Sequence, residues 1–171
     1  VGCKGDDLAG VFTGIDFLRE VNLGKTPEIG KKVAVIGGGN VAIDVARTAV
    51  RLGADEVTVV YRRGRDEMPA DADEVAEAEA EGVKFRFLAS PAEITGSGKA
   101  EAITVEVMEL GDVDAKGRRK SVGTGRFETI AVDSVISAIG QKIDLCNIAA
   151  FRTNANGTVI ADAKSYQTSV D

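Results

Sequence analysis

The residues best placed to do chemistry lie in one segment, Lys32-Val33-Ala34-Val35-Ile36-Gly37-Gly38-Gly39-Asn40-Val41-Ala42, where a short apolar run enters a glycine turn and leaves it as a helix. Each small residue answers a physical demand. Gly37 permits a tight turn, Gly39 lets the backbone approach a pyrophosphate, and Ala42, in place of a third glycine, lets the helix pack closely on a sheet. A helix beginning near Asn40 turns its unpaired N–H groups and the positive end of its dipole toward phosphates. Gly37, Gly38, Gly39, Asn40, Val41 and Ala42 are therefore the candidate dinucleotide-binding loop. The bare glycine spacing is weakly specific. Its context adds the specificity, because residues 33–36 have the pattern of a buried strand and residues 41–47 continue as an amphipathic helix toward a stop at Gly53.

The next strand selects the nucleotide. It spans residues 57–61 and ends about 20 residues past the glycines, where an NAD site presents a carboxylate to the adenosine ribose. This chain has Arg62 and Arg63 there, with Arg65 close behind, while Asp55 and Glu56 lie at the opposite end of that strand. Guanidinium groups bind a phosphate dianion through paired, charge-assisted hydrogen bonds, so the cluster favours the 2′-phosphate of NADP(H). Two such contacts of about 1.5–2 kcal/mol each predict NADPH binding on the order of a hundredfold or more tighter than NADH.

Other chemistries are excluded. The chain has no histidine, so a Ser-His-Asp arrangement or a histidine metal site cannot be built from it. Cys3 and Cys146 stand alone, without the C-x-x-C dithiol of thioredoxin-reductase-type enzymes, and read as free thiols. Neither Tyr61 nor Tyr166 is followed by a lysine four residues on, which removes the Tyr-Lys pair of short-chain dehydrogenases. No general acid or base pair accompanies the nucleotide loop, so a self-sufficient dehydrogenase is disfavoured.

The elements that must position these residues form an α/β pattern. Residues 11–21 carry Phe12, Ile15 and Leu18 at helical spacing, with Gly24 as a stop. The first strand, glycine turn, helix, second strand, an Ala/Glu-rich helix around Ala72 to Ala80, and a third strand at 83–88 make a β-α-β-α-β unit with a parallel sheet. After Pro91 short strands at 92–95, 102–110 and 121–132 read as an antiparallel meander, before a return strand at 134–139 and a turn at Gly140. The expected fold is a Rossmann-like three-layer dinucleotide-binding domain with a β-meander insertion at about 91–132. The basic run Lys116, Gly117, Arg118, Arg119 and Lys120 falls in the connection between meander strands and reads as a mobile hairpin tip rather than a binding site.

At 171 residues the chain suits one core with an insertion. Its net charge of −6 argues against general nucleic-acid binding. Much of the acidity lies in residues 66–81, which lack Lys and Arg and read as a solvated helix face. No apolar stretch approaches the roughly 20 residues of a membrane span and no signal-peptide pattern is present, so a soluble, cytoplasmic chain without a membrane partner is expected. The start at Val1 and the abrupt end suggest a piece of a longer protein.

With these pieces placed, the sequence resembles the pyridine-nucleotide domain of the glutamate synthase small subunit and its relatives, NADPH-dependent flavoprotein oxidoreductases that include dihydropyrimidine dehydrogenase and adrenodoxin reductase. The motifs are GVFTGIDFLREVNLG (10–24), VAVIGGGNVAIDVARTAVRLGA (33–54), VTVVYRRGRDEMPA (57–70), VISAIGQKID (135–144) and YQTSVD (166–171). Asn40 stands where some branches carry Asp or Glu. The resemblance implies that residues 1–29 are a linker and helix leaving a flavin domain, 30–162 the NADP(H)-binding domain, and 163–171 the return to the flavin domain. It implies that NADPH passes hydride to FAD held by that flanking domain of the parent chain, that the isolated piece is inactive, and that onward electrons reach an accepting subunit, in many relatives through iron-sulfur clusters held by another segment. It assigns Arg62 and Arg63 to the 2′-phosphate, Glu74 to the neighbourhood of the adenosine ribose, and the Ala138-Ile139-Gly140-Gln141 turn to the nicotinamide side. A nucleotide-sensing regulatory Rossmann module without redox chemistry is the alternative, which a flavin fingerprint upstream of Val1 would exclude.

Overall fold

The computed structural model describes residues 2–113, 117–140, 150–155 and 157–170. Lys116, Gln141 and Cys146 lie outside the described residues. Two compact units are present, Val1–Ile139 and Gly140–Asp171.

The first unit is built on a five-stranded, all-parallel sheet. Its strands are β1 (Val11–Thr13), β2 (Lys32–Ile36), β3 (Glu56–Tyr61), β4 (Lys84–Phe87) and β8 (Ser134–Ser137), in the spatial order β1-β8-β2-β3-β4. Three helices, α1 (Gly14–Asn22), α2 (Asn40–Arg51) and α3 (Ala72–Ala80), connect or follow these strands. A separate antiparallel sheet holds β5 (Ala89–Thr95), β6 (Ala102–Val113) and β7 (Arg119–Ala131) in that order.

Side-chain alternation along the central strands explains the layering. Val33 and Val35 of β2, Val57 and Val59 of β3 and Ile136 of β8 join Phe17, Ile43, Val45, Ala46, Ala49, Val75 and Ala78 in a core on the helical side. Ala34 and Ile36 of β2, Val60 and Val135 enter a second core with Ala89, Ile94, Ile103, Val105 and Val132 of the meander region. A parallel strand covered on both faces must be apolar at every covered position, as Val33 to Ile36 of β2 are. Each fully buried valine or isoleucine contributes about 1.5–3 kcal/mol relative to exposure. In α2 the buried residues Ala42, Ile43, Val45, Ala46 and Ala49 recur at helical spacing and form the face applied to the sheet.

Three expectations are corrected. Residues 11–13 are a strand, not the first turn of a helix: Val11, Phe12 and Thr13 pair with Val135, Ile136 and Ser137, and helix begins only at Gly14. The meander begins at Ala89, ahead of Pro91, which β5 accommodates because it is an edge strand with a bulge between Pro91 and Glu93. Arg119 and Lys120 belong to β7 rather than to the hairpin connection. No helix among the described residues is long and apolar enough to cross a membrane.

In the second unit Thr153 and Val159 form an antiparallel bridge. Asp162 Oδ1 accepts hydrogen bonds from the Lys164 and Ser165 N–H groups and from the Ser165 hydroxyl, which hold its carboxyl below the usual range.

Candidate functional site

The strand order defines the crevice. From β2 the chain moves outward to β3 and β4, passes through the meander and returns as β8 on the other side of β2. Beyond the carboxyl ends of β2 and β8 therefore lies a topological switch point, where open α/β sheets bind ligands. The glycine turn leaves β2 at this edge, Ala138 and Ile139 follow β8, and Arg62 and Arg63 follow β3. Gly140 is the first residue of the second unit.

The three glycines do three different jobs. Gly37 has φ +146°, and a Cβ there would lie 2.5 Å from the Ala138 carbonyl oxygen and 3.3 Å from the Ala42 Cβ. Its missing side chain lets the turn press against the end of β8, where the Ala138 N–H donates to Ile36 O at 2.7 Å. A Cβ on Gly38 would strike the Tyr61 ring at 2.5 Å. Around the position of a Gly39 Cβ no atom of the described residues lies within 4 Å, so that glycine leaves open space there rather than making room for a described neighbour.

Gly39 is also the N-cap of α2, with no side-chain cap and no acidic residue in the first turn. Both other helices are capped. The Thr13 hydroxyl accepts from Asp16 N–H at 3.2 Å in α1, and Asp71 Oδ1 accepts from Asp73 N–H at 2.9 Å in α3. The start of α2 thus offers N–H donors and the positive end of the dipole next to open space, the conditions for an anion. Asn40 does not cap its own helix. Its Oδ1 accepts from Asp71 N–H at 3.0 Å, which ties the start of α3 to the start of α2.

The loop carrying the arginines is fastened to the glycine turn. Ala70 N–H donates to Gly38 O at 3.1 Å, and the Tyr61 hydroxyl donates to Glu67 O at 2.8 Å. Inside the loop Gly64 N–H donates to Glu67 Oε2 at 3.1 Å. The three arginines diverge. Arg62 is exposed and makes no hydrogen bond or ion pair among the described residues. Arg63 is 9% exposed, and its Nε donates to the Arg119 carbonyl at 2.7 Å; among the described residues no carboxylate pairs with it. Arg65 turns away, pairs with Glu79 and stacks on Phe85 and Phe87, 5.9 and 5.6 Å from the ring centroids. Asp55 and Glu56 pair with Lys31 and Lys84 at the far end of β3.

Glu74 lies in the first turn of α3, with Oε2 shielded from solvent and without a hydrogen-bond donor among the described residues. Further along, α3 is bound to α2 by Arg47, which reaches Glu77 and Glu81, and by Arg51 to Glu81. These arginines hold the Glu81 carboxyl below its usual range. Gly14 escaped sequence analysis: a Cβ there would meet Val45, the Ser137 carbonyl and Ala138 at 3.2–3.4 Å, so the ends of β1 and β8 and α2 converge on it. Its signal is the second glycine of GVFTG, which falls within the helical spacing of residues 11–21. Asn40, Tyr61 and Ala70 as loop fasteners left no sequence signal, because their partners are set by tertiary contact.

A family model described as pyridine nucleotide-disulphide oxidoreductase matches residues 1–171. The chain is 44% identical over 178 residues to the NADP(+)-dependent formate dehydrogenase subunit beta of Moorella thermoacetica, covering 99% of this chain and 25% of that protein. It is 36% identical over 188 residues to the glutamate synthase [NADPH] small chain of Azospirillum brasilense, covering all of this chain and 39% of that protein. Mycobacterium tuberculosis FprA, solved in complex with NADPH, superimposes with a TM-score of 0.72 at 25% identity over 83% of this chain and 47% of that one. The chain spans less than half the length of each of these proteins.

Proposed function

The chain belongs to the pyridine nucleotide-disulphide oxidoreductase family, and from that premise we propose that it is the NADP(H)-binding part of a flavoprotein oxidoreductase. The observation that carries the reading is the pair of arginines after β3. Arg62 is free among the described residues, and Arg63 is a nine-tenths-buried guanidinium without a carboxylate there. A buried cation is costly unless an anion meets it, and a 2′-phosphate is the anion this position of the fold would receive.

The remaining residues fit the same ligand. N–H groups of the 38–41 turn hold the pyrophosphate at the open start of α2, and Gly39 keeps side-chain atoms out of its way. Glu74 Oε2, an acceptor without a donor among the described residues, suits a ribose hydroxyl. Ala138 and Ile139, which follow β8, bound the nicotinamide side. When bound, the nucleotide would supply hydride for a flavin of the flanking domain, and this chain's residues would contribute binding, orientation and exclusion of water. The partners proposed are an FAD domain of the same parent chain and an electron-accepting subunit, with any iron-sulfur clusters elsewhere; among the described residues no group of side chains could hold a metal ion.

The test is calorimetric titration with NADPH and NADH at fixed salt, on the wild-type chain and an Arg62→Ala, Arg63→Ala double variant. Tighter NADPH binding that falls to the NADH level in the variant is expected. Equal affinity for both nucleotides in the wild type would overturn the reading.

A further inference from the structure

The meander is more than a cover for the second face of the sheet, because it holds the turn that bears the arginines. Arg63 is gripped twice. Its Nε donates to the Arg119 carbonyl on β7 at 2.7 Å, and its own carbonyl accepts from Leu88 N–H at 3.0 Å. Leu88 is the junction between β4 and β5 and sits at φ +53°, in the left-handed region that a leucine rarely adopts. The Leu88 carbonyl in turn accepts from Met108 N–H of β6 at 2.8 Å. Residues of all three meander strands or their junctions thus fix the backbone and side chain of Arg63. Arg119 is itself clasped across the hairpin, its Nη2 donating to Leu110 O at 2.9 Å and its Nε to Gly111 O at 3.3 Å. The clasp joins the pairing of Arg119 with Val113 in holding the Arg119 carbonyl, which accepts from the Arg63 guanidinium.

We propose that the meander hairpin is a specificity element for the phosphorylated nucleotide, with Arg119 as a positioning residue that aims Arg63 through its backbone carbonyl. The inference rests on the reading of Arg62 and Arg63 as 2′-phosphate ligands. A guanidinium delivers paired hydrogen bonds only in one orientation, so a small rotation of Arg63 costs phosphate contacts and leaves the part of the site shared with NADH untouched. Arg119 lies outside that shared part and is exposed, so its replacement does not open the core.

Two variants separate positioning from charge. Arg119→Ala removes the clasp and the charge, while Arg119→Lys keeps the charge but lacks the planar fork whose Nε and Nη2 reach Gly111 and Leu110. Dissociation constants for NADPH and for NADH are measured on both variants and on the wild-type chain at fixed salt. The expected result is NADPH affinity lowered about fivefold to tenfold in both variants, with NADH affinity changed less than about twofold. Restoration by lysine would mean that Arg119 acts through charge alone and would overturn the proposal. So would an equal loss for both nucleotides, or no loss in either variant. If the wild type itself does not prefer NADPH, the 2′-phosphate reading fails first and the inference falls with it. A selective wild type with unaffected variants removes only the inference.

Discussion

Gly37 and Gly39 are two residues apart, and alanine at each should fail in opposite ways. At Gly37 the backbone has φ +146° and the added Cβ would stand 2.5 Å from the Ala138 carbonyl oxygen, so both strain and collision act on the folded state. Strain of about 1–3 kcal/mol for the disfavoured backbone and about 1–3 kcal/mol for overpacking sum to roughly 2–6 kcal/mol. At Gly39 the φ of −96° is open to any residue and the Cβ meets no described residue within 4 Å. Reduced freedom of the unfolded chain favours alanine by about 0.4–1 kcal/mol, and the poorer capping by alanine opposes it by a similar amount. The net effect on folding is within about 0.5 kcal/mol, or a thermal midpoint shift of about 2 °C or less. Nucleotide affinity should behave differently, because the space beside the uncapped helix is the proposed place where the pyrophosphate meets backbone N–H groups. A methyl group there holds the phosphates off and weakens donors that contribute about 1.5–3 kcal/mol each to a charged acceptor. Gly39→Ala should therefore lose about tenfold or more in NADPH affinity while retaining its thermal midpoint. Differential scanning fluorimetry paired with calorimetric titration reads both quantities. Undiminished NADPH binding by Gly39→Ala, or a midpoint loss matching that of Gly37→Ala, would refute the reasoning.

Asn40→Asp keeps an oxygen acceptor for the Asp71 N–H, so stability should hold within about 0.5 kcal/mol. The added negative charge beside the proposed pyrophosphate should weaken NADPH by about tenfold; equal affinity in a titration would contradict the placement. Tyr61→Phe keeps the ring that packs on Gly38 and removes the hydrogen bond to Glu67 O, and urea unfolding should show a loss of about 1 kcal/mol. Asp133 accepts from the Lys32 and Lys31 N–H groups at 2.8 and 2.7 Å, and these bonds hold its carboxyl below the usual range. A depressed folded pKa means that this stabilisation is complete above the ordinary Asp value of about 4 and is lost as pH falls through the folded value. Asp133→Asn should flatten the acid side of a profile of urea midpoints, and an unchanged acid slope in the variant would count against the assignment.

The local features of the site were legible because their causes are local. The glycine turn, the apolar run of β2 and the amphipathic face of α2 are statements about residues a few positions apart, and chain stiffness and burial act on that scale. The same holds for the two arginines after β3 and for the meander, whose alternating strands and glycine turns stand next to one another in the chain. Features that sequence could not disclose depend on partners far along it. Residues 11–13 become a strand only because Ser134–Ser137 arrives beside them, and no three-residue window carries that information. Arg62 and Arg63 look equivalent as letters, yet alternation at the end of β3 exposes the first and sends the second under the meander to the Arg119 carbonyl. Asn40 reads as a candidate phosphate neighbour, and its oxygen is used to hold Asp71. The sequence by itself determined which groups are available to a dinucleotide, because residue type and short spacing specify donors, charges and turns. The tertiary structure decided which of them are free and which are already bonded, because hydrogen-bond partners are assigned by packing of segments that meet only in the folded chain.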